Sequence, residues 1–111
     1  MEVGRRSRAT WQPGPLQCRV DAGGHQLLVD EPESAGGTGA GPQPTDLLLA
    51  SITSCLALAI AWSASKRGLE PTGIEVDGRA EYDGPRFKRV VLTVRCAGLA
   101  EPDVRRVVEA A

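Results

Sequence analysis

One stretch constrains this chain more than any other: Leu47 to Ala64 is a run of 18 residues without a charge. Helix signals bracket it. Gln43 or Pro44 stands near its start, where proline's fixed φ suits a first turn. Thr45 and Asp46 add a capping oxygen and negative charge at the positive end of the helix dipole. Lys66 and Arg67 fall in the last turn, Gly68 can take the left-handed stop, and Pro71 blocks continuation. The pattern predicts one long helix, Thr45 to Arg67.

A run of this length reaches the lower edge of a membrane-spanning segment. Ser51, Thr53, Ser54 and Ser63 dilute it, as do its alanines. The alternating segments on either side belong to a folded domain. The expectation is therefore a buried central helix, apolar on nearly all sides, and no membrane. A chain of 111 residues builds only a modest core. Covering such a helix points to a dimer.

The flanks read as strands and turns. Residues 1–10 are polar and basic and are expected to be disordered, with one domain over 11–111. Leu16, Cys18 and Val20 alternate with Gln17 and Arg19, as in a half-buried strand. Asp21 to Gly24 is a turn, and His25 to Val29 returns as the second strand of a hairpin. Residues 30–44 are rich in Gly and Pro and read as a mobile loop, of a length that is often functional. Glu75 to Tyr82 and Phe87 to Cys96 form a second hairpin across Asp83-Gly84-Pro85. Val104, Val107, Val108 and Ala111 follow helical spacing in the tail. That helix has no stop signal, and the expectation is a chain truncated at its C-terminus. The fold class is α+β.

Thirteen basic residues face 14 acidic ones. Such a balance gives no electrostatic footprint for nucleic acid or an anionic membrane. Arg5, Arg6 and Arg8 cluster, but at the terminus. Basic residues there are not followed by an apolar run, so no secretory signal is read. Cys18, Cys55 and Cys96 are odd in number and widely spaced, which suits a reducing cytoplasm rather than a disulfide framework. One histidine and no Cys-x-x-Cys give no zinc pattern, and no cofactor is expected.

Cys55 is the best candidate for chemistry, because it lies at the middle of the helix among Leu48, Ile52, Ala59 and Trp62. A nucleophilic thiol needs a nearby positive charge or hydrogen-bond donors. The helix dipole helps little nearly three turns in. On the residues alone a buried core cysteine is the first reading and a reactive thiol the second. Cys18 and Cys96 sit on apolar strand faces and read as core. His25 reads as a surface or edge histidine, and Trp11 and Trp62 as packing residues.

Gly41-Pro-Gln-Pro-Thr-Asp-Leu-Leu-Leu-Ala-Ser-Ile-Thr-Ser-Cys55 resembles the segment that opens the central helix of the OsmC/Ohr family. The similarity continues through Lys66-Arg-Gly-Leu69, Gly73-Ile-Glu-Val-Asp77, Arg86-Phe87 and Gly98-Leu99. Trp11, Gly24-His25 and Glu31-Pro32 also look like one OsmC-like branch. The resemblance implies an intertwined homodimer with two central helices packed between sheets. It implies a thiol peroxidase that reduces organic hydroperoxides in stress defence, regenerated by a dithiol reductant. Cys55 is then the peroxidatic cysteine, and Asp46 matches the supporting acid of the OsmC-like branch; the equivalent acid of the Ohr branch falls at Thr45. Neither Cys18 nor Cys96 matches the family's resolving cysteine, which lies beyond the last helix. The activating arginine of the peroxidases has no match in Pro13 to Leu16, and Arg19 is only near that region. A noncatalytic dimer that binds a small hydrophobic ligand, or senses redox state, is the alternative.

Overall fold

The computed structural model describes residues 4–111, which divide into two compact units, one ending at Leu47 and the other Leu48–Ala111. The first unit is a three-stranded antiparallel sheet. Its strands are β1 (Ser7–Thr10), β2 (Gln17–Ala22) and β3 (His25–Asp30), in the order β1-β2-β3. Ala22 pairs with His25 across the two-residue turn Gly23-Gly24, so the first hairpin stands where the turn signal put it.

The segment expected to be disordered, 1–10, is in part a strand. Ser7 to Thr10 pairs with Ala22 to Arg19. Nothing in its side-chain pattern reveals this, because all four residues are exposed and only the backbone holds them. Residues 1–3 of that segment lie outside the described residues.

The Gly/Pro-rich loop after β3 is organised rather than featureless. Its first part winds into a 3-10 turn, Glu33–Ala35. Asp30, at the end of β3, is 1% exposed and anchors the loop. Its carboxylate accepts hydrogen bonds from the backbone N–H groups of Glu31, Thr38 and Ala40, from the Thr38 hydroxyl and from the Gln17 amide. The loop folds back so tightly that a Cβ at Gly37 would run into the Glu31 carbonyl.

Helix α1 (Pro44–Lys66) starts in the first unit and runs through the second, which also contains β4 (Gly73–Asp83), β5 (Arg86–Ala97) and α2 (Glu101–Glu109). β4 and β5 form one antiparallel hairpin from Gly73↔Ala97 to Asp83↔Arg86, with an irregularity at Glu81/Tyr82. Ile60 and Ala64 of α1 meet Val107 of α2 at the centre of the core. Ile74 and Val76 of β4 and Val94 and Cys96 of β5 pack around them, two apart on each strand as one sheet face requires. Buried Ser63 is satisfied by Arg67, whose Nη1 donates to its hydroxyl at 3.0 Å and its carbonyl at 3.1 Å.

The expected burial of α1 does not occur within one chain. Of an 18-residue apolar window that could cross a membrane by length and composition, 17% is buried. The elements of its own unit cover one side of it. On the other side Leu58 stays 71% exposed and Trp62 62%. Within one chain Trp62 is thus not packed as expected; it carries Lys66 Nζ 5.3 Å from its ring centroid.

Candidate functional site

Both ends of α1 are fixed by local chemistry, and they set where Cys55 stands. At the start, the Asp46 carboxylate accepts the backbone N–H of Gln43 at 3.0 Å, while Leu47 N–H donates to the Gln43 carbonyl at 3.2 Å. The first bond is one half of a capping box and the second is the first i→i−4 bond of the helix, with proline in the first helical position. At the end, Gly68 has φ +68° and its N–H donates to Ser65, while Leu69 N–H donates back to Ala64. That pair of bonds closes a Schellman motif, and Leu69 joins the core beside Ala64.

Between these stops, Cys55 is exposed. Ser51, Ser54, Leu58 and Trp62 lie three, four or seven residues or one residue away and are exposed as well. The thiol therefore sits on the open side of the helix and not in the core, which Ile60 and Ala64 occupy; the face it shares with Leu48 and Trp62 is exposed. The two serine hydroxyls beside it are engaged elsewhere. Ser51 donates to the Leu48 carbonyl at 2.7 Å and Ser54 to the Ala50 carbonyl at 2.6 Å. Among the described residues no hydrogen bond reaches the Cys55 sulfur.

The other cysteines are placed differently. Cys96 pairs with Ile74 across the second hairpin and packs against the core, where burial pushes its thiol pKa up. A thiol held protonated in this way is a poor nucleophile. Cys18 is half-buried on β2 opposite Val29. All three cysteines are unbonded thiols. His25 opens β3, exposed, across from Ala22. Arg19 lies exposed on β2 opposite Leu28. Trp11, also exposed, is not a packing residue; its indole N–H donates to the Pro15 carbonyl at 3.1 Å. Asp46 is the helix cap just described, and Thr45 beside it is half-buried.

Asp30 is the residue that sequence reasoning missed. Chiefly through the hydrogen bond from the Thr38 hydroxyl, and against the cost of burial, its pKa is lowered from 3.8 to about 2. Residue type alone hints at it, since aspartate ahead of a Gly-rich loop accepts from nearby backbone N–H groups, but nothing local marks its donors eight and ten residues on.

A family model described as OsmC-like protein matches residues 37–111. No curated protein sequence matches the chain. Among solved structures, it is similar to an osmotic stress induced and detoxification response protein of Psychrobacter arcticus. That likeness has a TM-score of 0.79 at 19% identity and covers 98% of this chain and 82% of that one. It is also similar to an organic hydroperoxide resistance protein from Legionella pneumophila, at TM-score 0.72 and 18% identity over 97% and 81% of the two chains. The organic hydroperoxide resistance protein OhrB of Bacillus subtilis gives 0.66 and 21% over 97% and 82%. The two antiparallel sheets and long helix are thus an α+β arrangement of the OsmC/Ohr type.

Proposed function

The chain belongs to the OsmC-like protein family, and from that premise we propose that it is a thiol-dependent peroxidase that reduces organic hydroperoxides, with Cys55 as the peroxidatic cysteine. The observation that carries this reading is the exposure of Cys55 at the middle of α1, while Cys96, packed against the core, and Cys18 are half-buried. Two of the three structures compared above bear the name organic hydroperoxide resistance protein, which supports the substrate class.

The chemistry asks for a thiolate. The Cys55 sulfur attacks one peroxide oxygen, the O–O bond breaks, and the alkoxide leaves as the alcohol after taking up a proton. Cys55 is left as a sulfenic acid. A dithiol reductant then condenses with it, releasing water, and its second thiol breaks the mixed disulfide to restore Cys55. Neither Cys96 nor Cys18 is needed in this scheme.

The thiolate must be stabilised by groups other than the neighbouring serines, whose hydrogens are already donated to helix carbonyls. In this reading a second copy of the chain covers the open side of α1 as a homodimer and completes the site. By the family resemblance Asp46, one of whose oxygens caps the helix, is read as the supporting acid. The protein is read as cytoplasmic and soluble, with α1 covered by protein rather than lipid; the unbonded thiols suit that compartment.

Treating the protein with one equivalent of cumene hydroperoxide in the presence of dimedone tests the reading. The dimedone adduct should appear on Cys55 by mass spectrometry, and Cys55→Ser should abolish it. An unmodified Cys55 in folded protein would sink the proposal. It would favour the second reading, a noncatalytic dimer that binds a small hydrophobic ligand or senses redox state. The absence of a donor to the Cys55 sulfur among the described residues is the observation on that side.

A further inference from the structure

A cavity of about 320 Å³ opens in the first unit, between β2, β3 and the start of α1. Trp11, Leu16, Val29 and Pro44 give it apolar walls, and Asp30 and Glu31 are its charged residues; no basic side chain lines it. Trp11 is 52% exposed and Leu16 51%, so two large apolar side chains flank the concavity with water as their cover. A mostly apolar hollow of this size with few polar groups is the usual form of a small-molecule site.

The sign of the charge selects the occupant. The Asp30 oxygens are taken up by five protein donors, so Asp30 contributes only its negative field. Glu31 is used by halves. Its Oε2 accepts the Gln43 amide at 3.1 Å, which orients the carboxylate, and no protein donor reaches the other oxygen among the described residues. That oxygen can take a charge-assisted hydrogen bond from a ligand. The Trp11 ring, tethered through Pro15, offers a face that suits an apolar body or a cation. An anion would meet two carboxylates and no partner.

We propose that this cavity binds a small molecule with an apolar body and a cationic amine head, the amine donating to Glu31 and the body lying against Trp11 and Leu16. The proposal rests on the cavity's own lining and holds whether or not Cys55 reacts.

Titrating the whole protein with 2-phenylethylamine and, separately, with 3-phenylpropionate tests this, followed by backbone amide shifts in nuclear magnetic resonance. The amine should saturate with shifts centred on Trp11, Leu16 and Glu31, and the anion should bind at least about tenfold more weakly, the loss expected for one charge-assisted hydrogen bond. Glu31→Gln should weaken the amine about tenfold and narrow the preference between the probes, with the field of Asp30 left in place. Should that variant lose its fold with the Gln43 contact, Trp11→Ala, at an exposed position, should also weaken the amine. The proposal is overturned if the amine fails to saturate by about 10 mM. It is equally overturned if both probes bind alike, if the shifts lie elsewhere, or if folded variants bind the amine as the parent does.

Discussion

Asp30 takes donors from three segments of the first unit, and this ties the stability of the unit to pH. Its pKa in the folded chain, about 2, lies below the ordinary 3.8. The folded form therefore prefers the carboxylate. Its contribution to stability is fully present above about pH 4 and is lost as the pH falls through 2. Thermal melts should show Asp30→Asn less stable than the parent at pH 7, with the gap shrinking below pH 4. The asparagine amide keeps one oxygen and turns its NH2 either toward the N–H groups of Glu31 and Thr38, which share Oδ1, or toward the N–H of Ala40 at Oδ2, and leaves those donors unpaired. Ile60, fully buried, belongs to the other unit. Ile60→Ala should cost about 2–5 kcal/mol by chemical denaturation, from lost burial and the cavity left behind. Cys55 stands out in the sequence as a candidate because its neighbours resemble a family segment. Asp30 does not, because two of its backbone donors come from eight and ten residues further along, in a stretch without periodicity.

The elements were legible in proportion to their local signals. Capping chemistry located both ends of α1 to within a residue, and alternation located the strands of both hairpins, since each was bounded by turn residues. Strand β1 escaped because its only support is pairing with β2, which leaves no mark on its side chains. The exposure of α1 escaped for a different reason. An all-round apolar helix says that it must be covered, but not by which chain. Two substitutions probe these elements. Gly68→Ala places a side chain at φ +68° and should cost roughly 1–2 kcal/mol through the broken helix stop. In β4, a Cβ at Gly78 would stand 2.7 Å from the Thr53 methyl of α1 and 3.3 Å from Leu92. Gly78→Val should lower stability by about 1–3 kcal/mol, because sheet and helix must separate to admit it. Equilibrium denaturation measures both.

At the scale of the whole molecule, the open side of α1 is the unfinished part of the fold. Leu58 and Trp62 leave an apolar surface that a monomeric protein rarely shows to water. A homodimer through this side predicts that Leu58→Glu or Trp62→Glu shifts sedimentation toward the monomer without unfolding the chain. The same change should slow reaction at Cys55, if the second copy supplies the charge that ionises it. A free thiol has a pKa of about 8.5, so only a few per cent of it is thiolate at pH 7. The most direct measurement is the second-order rate of Cys55 oxidation by cumene hydroperoxide at pH 7, set beside free cysteine under the same conditions. A peroxidatic Cys55 should react about 100-fold or more faster than free cysteine, the scale that ionisation and a positioned proton donor supply. A Cys55 that reacts no faster than free cysteine would contradict that role.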